Sequence, residues 1–100
     1  MDQENIQVVR IYLTEQKAHL KALLAHLHDV EKVRGVTVFR GICGFGQSGE
    51  MHSSSLLDLS LNLPIIIEFF DEAERVDKIL EHLRQSIKPG HIISWSATLS

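Results

Sequence analysis

The residue types that could do chemistry in this chain are concentrated in one stretch. Arg40 to Ser55, RGICGFGQSGEMHSSS, holds four of the six glycines (Gly41, Gly44, Gly46 and Gly49), the single cysteine Cys43, His52, and Ser48 with Ser53 to Ser55. Closely spaced glycines admit φ > 0 and let backbone N–H groups approach a ligand with no Cβ in the way. The run follows a strand but opens no helix, so it is neither a Walker loop nor a dinucleotide fingerprint, and a plain connection between strands fits it equally. His52 can ligate a metal, stack on a base, titrate near neutrality, or simply be solvated. Cys43 and His52 together supply two ligands, too few for a structural zinc site; beside a glycine turn, Cys43 reads as a small buried hydrophobe. Phe45, between two glycines, reads as the loop's anchor in the core, with a stacking platform as the alternative. The serines suit capping or phosphate bonding, or serve as polar filler. His19 and His26 lie one heptad apart in a helical pattern, His28 faces elsewhere, and all three read as surface histidines without zinc-type partner spacing. No nucleophile–base pair, paired carboxylates or metal triad is visible, which argues against an enzyme.

The bulk properties limit the function classes. One hundred residues make a single domain, 1–100, of common size. A formal net charge of −3 argues against a nucleic-acid surface. The opening MDQENIQ is polar and acidic, unlike a secretory signal, and the longest apolar run, Leu63 to Phe70, is too short to span a bilayer. A lone cysteine fits a reducing compartment, so a cytoplasmic protein is expected.

The elements that must position the glycine run follow from periodicity. Residues 7–13 alternate as a strand, with Val9, Ile11 and Leu13 on one side. Thr14 can cap a helix whose stripe is Leu20, Leu23, Leu24, Leu27 and Val30. Gly35 ends that helix and starts a second strand over 36–42, where Gly41 suggests a bulge or a close backbone approach. Pro64 belongs at the start of a third strand. Asp71 and Glu74 resemble a capping box, and Val76, Ile79, Leu80, Leu83 and Ile87 continue at helical spacing. Lys88-Pro89-Gly90 is a turn, and residues 91–99 form the last strand with Ile93, Trp95 and Ala97 on one face.

The order β-α-β-β-α-β is the ferredoxin-like plan, an α+β fold with two helices on one face of a four-stranded antiparallel sheet. The other face then carries Val8, Tyr12, Ile66, Phe70 and either Phe39 or Val38. So much apolar surface on a lone monomer is unusual, and burial against further copies is expected.

Gly35-Val36-Thr37-Val38, Gly44-Phe45-Gly46 with Gly49, and Leu63-Pro64 resemble the PII signalling proteins. The match is closer to a PII-like family whose loop reads Gly-Ile-x-Gly-Phe-Gly-x-Ser and then a histidine, here Gly41 to Ser48 and His52. Arg10 to Glu15 and Leu56 to Ser60 also fit it. The resemblance implies a cytoplasmic homotrimer that is not an enzyme and binds a small effector, an adenine nucleotide foremost, between subunits. It implies a mobile T-loop, residues 44–59, that docks on a partner such as a membrane transporter or an enzyme. It places Gly44, Phe45, Gly46 and Gln47 at the nucleotide cleft, and Lys88 and Gly90, with Arg40 and less directly Arg10, near phosphates. In PII proteins the loop after the second helix is long and rich in glycine and lysine; here only Ile87-Lys88-Pro89-Gly90 stands there, and Pro89 offers no N–H. Arg10 and Arg40 could equally pair with Glu68. The CutA proteins share the fold, so the alternative is a metal-responsive trimer in which His52, Cys43 or the helix histidines converge across subunits.

Overall fold

The computed structural model describes residues 3–14, 17–45, 52–53 and 64–100. Strand β1 spans Glu4–Thr14 and leads to helix α1, Lys17–Ala25, which ends in a wider turn over His26–Val30. Strand β2 is Gly35–Arg40, and two short strands follow, β3 (Cys43–Gly44) and β4 (His52–Ser53). Strand β5, Pro64–Asp71, helix α2, Ala73–Leu83, and strand β6, Ile92–Leu99, complete the order. The four long strands pair antiparallel in the order β2-β5-β1-β6.

β1 outruns the alternation at 7–13 because both its edges are used. Gln7–Thr14 pair with β5 and Glu4–Ile11 pair with β6. Its inward set, Val9 and Ile11, meets Ile67 and Phe69 of β5, and all four are fully buried. Leu23 and Leu27 from the first helix and Val76, Ile79, Leu80 and Leu83 from α2 close over them. Both helices therefore cover one face, as the period-3.6 stripes require. Ile87 lies beyond the end of α2 yet stays in the core, its N–H donating to the Leu83 carbonyl at 2.9 Å.

Two expectations need correction. β2 stops at Arg40 rather than 42. Gly41 N–H donates the final bond to the Pro64 carbonyl at 2.7 Å, and Pro64 has no N–H with which to extend the ladder. Asp71 does not cap α2 by opening it. It is the last residue of β5, in step with Ile65, Ile67 and Phe69, so the strand carries it inward to 1% exposure. There its Oδ1 accepts the Glu72 N–H at 2.8 Å, and the carboxylate lies 3.1 Å from Arg75 and 3.7 Å from Arg34. Its Oδ2 is the one buried side-chain oxygen or nitrogen among the described residues with no aligned hydrogen bond, so the contact with Arg75 is mainly ionic. Glu72 takes the N-cap position with no side-chain capping bond to the helix. Arg34 also bonds Glu4 and Glu72; these contacts, Glu4 foremost, raise its pKa and lower that of Glu4.

The second sheet face carries apolar side chains on all four strands. Val8 stands opposite Phe70 and Trp95, Tyr12 opposite Ile66, and Phe39 opposite Ile66. Phe39, not Val38, is thus the β2 residue on this side. Tyr12, Phe39, Ile93 and Trp95 are exposed. At the centre Arg10 Nε donates to Glu68 Oε1 at 2.8 Å, and its guanidinium lies 5.6 Å from the Phe39 ring and 5.5 Å from that of Trp95. The bond to Glu68, then that to Tyr12, raises the Arg10 pKa.

Candidate functional site

The base of the glycine loop is built against Pro64. A Cβ placed on Gly41 would meet Pro64 Cγ at 2.7 Å, and one on Gly44 would meet it at 3.4 Å. The close backbone approach read from Gly41 is therefore present, and it lets the chain fold over the start of β5. Beyond it β3 and β4 pair antiparallel, with Cys43 opposite Ser53 and Gly44 opposite His52. This ladder brings the backbone of His52 beside that of Gly44. Gly46, Gln47, Ser48, Gly49, Ser54 and Ser55, and most of the expected T-loop, lie outside the described residues. Two readings at the base are overturned. Cys43 is exposed rather than buried, and Phe45 is 71% exposed rather than anchored in the core. Both lie past the last rung of the main sheet, Arg40 opposite Ile65, and neither joins the core cluster.

The second loop rises from the opposite sheet edge. Gly90 has φ 90°, the left-handed value that the turn Lys88-Pro89-Gly90 requires. Tyr12 N–H donates to the His91 carbonyl at 2.8 Å, and His91 Nδ1 lies 3.1 Å from the Tyr12 carbonyl, tying the loop to β1. Lys88, Pro89 and Gly90 line a cleft of about 340 Å³ with Leu80, Arg84 and Ser94. Sequence reasoning missed Arg84. Its four-residue spacing from Lys88 at a helix end was the available signal.

Antiparallel pairing puts the end of β2, the start of β5, the end of β1 and the start of β6 at one end of the sheet. The glycine base and the Lys88 loop thus emerge at the same end but on opposite edges. Three interstrand steps, about 14 Å, separate those edges. Arg40 stands exposed at the end of β2. Arg10 is held by Glu68 on the open sheet face, and no bond links Arg40 to Glu68 among the described residues.

A third cluster lies on the helix layer. His26 Nε2 and His82 Nδ1 each lie 2.7 Å from Glu31 Oε2. Burial pushes the Glu31 carboxyl up, but the bonds from His82 and His26 together outweigh it and hold the pKa below its ordinary value. His26 is therefore not a plain surface histidine, and a three-ligand grouping does exist in the chain. His19 and His28 are exposed, as expected, with His28 paired to Asp29 at 2.7 Å. No helix among the described residues is long and apolar enough to cross a membrane.

Comparisons with known proteins agree with this architecture. Residues 6–99 match the DUF190 family, described as "Uncharacterized ACR, COG1993". The UPF0166 protein of Methanocaldococcus jannaschii is 34% identical over 91 residues, spanning 87% of this chain and 83% of that protein. Among solved structures, CPII from Thiomonas intermedia K12, a nitrogen regulatory PII-like protein bound to ADP, AMP and bicarbonate, superposes with TM-score 0.70 over the full length of both chains at 21% identity. CutA1 from Oryza sativa superposes with TM-score 0.60 at 10% identity, covering 96% of this chain and 81% of that one. The CutA likeness is thus the weaker of the two. The chain belongs to the DUF190 (UPF0166) family, and its fold is the ferredoxin-like fold of the PII-like proteins.

Proposed function

We propose that the protein is a PII-like regulator, not an enzyme, that assembles as a homotrimer in the cytoplasm and binds an adenine nucleotide between copies. The observation that carries this reading is the placement of the two loops at one end of the sheet on opposite edges. Within one copy the width of the sheet lies between them. A closed ring faces the β2 edge of one copy with the β6 edge of the next and brings them together. Arg40, Gly41, Gly44 and Phe45 then stand across from Lys88, Gly90 and Arg84, and we assign Gly46, Gln47, Ser48, Gly49 and His52 to the same effector site. The cations and glycine N–H groups suit a diphosphate, and the exposed Phe45 ring offers a stacking face for a base. The apolar sheet face bearing Tyr12, Phe39, Ile93 and Trp95 would close around the ring axis. The nucleotides held by CPII favour adenine among candidate effectors. Effector binding would select one state of residues 44–59, which would dock on a partner such as a membrane transporter or an enzyme.

Calorimetric titration with ADP and ATP, alongside mass by sedimentation, tests the reading. The expected result is a trimer binding one nucleotide per chain. Lys88→Ala removes a charge-assisted bond and should weaken binding by about 1.5–3 kcal/mol, tenfold or more. A monomer, or a trimer deaf to every nucleotide, would refute it.

A further inference from the structure

We infer that His26, Glu31 and His82 form a three-ligand site for a divalent transition-metal ion of the zinc class, clasping the end of the first helix to α2. The three ligand atoms, one from each residue, lie within 4.8 Å of one another. Two imidazole nitrogens and a carboxylate oxygen are the donor set such ions take, with a fourth position left for water or another small ligand. Both nitrogens already converge on one Glu31 oxygen at 2.7 Å. Seating an ion requires opening those two pairs to about 3.3 Å, the ligand spacing of a tetrahedral site with bonds near 2.0 Å, and setting the two imidazole nitrogens, which lie within 4.8 Å of each other, at the same spacing.

The backbone is bent to make this convergence. In an α-helix, at 3.6 residues per turn, residues five apart stand about 140° apart around the axis. His26 and Glu31 would then point away from each other. Here the Glu31 N–H bonds the His26 carbonyl five residues back at 3.0 Å, and the Val33 N–H reaches the Leu27 carbonyl at 3.2 Å. This wider turn returns Glu31 to the same side as His26. Lys32 follows with φ 52°, a left-handed value that is strained for a residue other than glycine. The Arg75 guanidinium donates to the Glu31 carbonyl and holds the bend against α2. A strained turn that buries a carboxylate to 8% exposure between two imidazoles is what a preorganised ligand set looks like. The site lies within one chain and does not depend on the nucleotide reading.

The test uses untagged, chelator-stripped protein. Cobalt(II) is titrated and followed by its visible absorption, and zinc binding is measured by calorimetry. The expected result is one ion per chain, with intensified cobalt bands reporting a four-coordinate site. His82 is the most exposed of the three, so His82→Ala should fold normally, as circular dichroism can verify; it should weaken binding at least tenfold. Glu31→Gln should do the same. His28→Ala, outside the cluster, should bind as the native chain does, and so should the Cys43→Ser/His52→Ala double variant. Absence of stoichiometric binding overturns the inference. So does binding that survives His82→Ala, or that disappears with Cys43 and His52.

Discussion

Gly41→Ala isolates the contact on which the loop base rests. The added carbon would stand 2.7 Å from Pro64 Cγ, 3.3 Å from the Pro64 carbonyl oxygen and 3.4 Å from Pro64 Cβ. Carbon pairs rest at about 3.5–4.0 Å, so the first contact overlaps by roughly 1 Å. Neither side yields easily, because Pro64 is a closed ring and its carbonyl already accepts the Gly41 N–H at 2.7 Å. Gly41 is outside the left-handed region, so alanine suffers from lack of space rather than from backbone strain. Overpacking costs about 1–3 kcal/mol, whereas lifting the loop away sacrifices a hydrogen bond worth about 0.5–1.5 kcal/mol. The chain takes the smaller loss, about 1 kcal/mol. Alanine's lower unfolded-state entropy offsets about 0.4–1 kcal/mol of it. A double-mutant cycle with Pro64→Ala removes that offset, which is common to both backgrounds, and leaves the overlap itself. Urea denaturation at fixed protomer concentration, since assembly adds to stability, should give a coupling energy of about 1 kcal/mol. A coupling below about 0.3–0.5 kcal/mol, the ordinary error of additivity, would refute the close approach of Gly41 to Pro64.

Trp95→Glu places a charge on the open sheet face, opposite Val8 and near the Arg10–Glu68 pair; sedimentation should show the assembly dissociating toward monomers, and an unchanged mass would mean that this face is not an interface. The Glu31 carboxyl, lowered in the fold, contributes stability that is fully present above its ordinary value of 4.5 and is lost as pH falls through the folded value. In metal-free buffer, the melting temperature of the native chain should therefore fall more steeply below about pH 4.5 than that of Glu31→Gln, whereas parallel curves would show that the bonds from His26 and His82, beside Arg75, carry no such linkage.

The sequence by itself determined the elements and their faces, because backbone periodicity is a local property. Alternation of Val9, Ile11 and Leu13 marks a strand wherever it is read, and Val76, Ile79, Leu80 and Leu83 mark a helix stripe that the fold duly buries. The apolar second face was legible for the same reason. So was the glycine loop, whose Gly-Phe-Gly base carries the family likeness and whose Gly41 pointed to a bulge or a close backbone approach; the structure supplied the partner, Pro64. What only the tertiary structure decided is which distant groups meet. Asp71 reads locally as a helix start, but strand phase drives it inward toward Arg34 and Arg75. Cys43 and Phe45 look buriable by composition, yet they lie beyond the last rung of the sheet. His82 and Glu31 are 51 residues apart, and neighbouring histidines at helical spacing give no hint of their contact. That meeting depends on how two helices pack over one sheet and on a single widened turn, and neither leaves a period in the sequence.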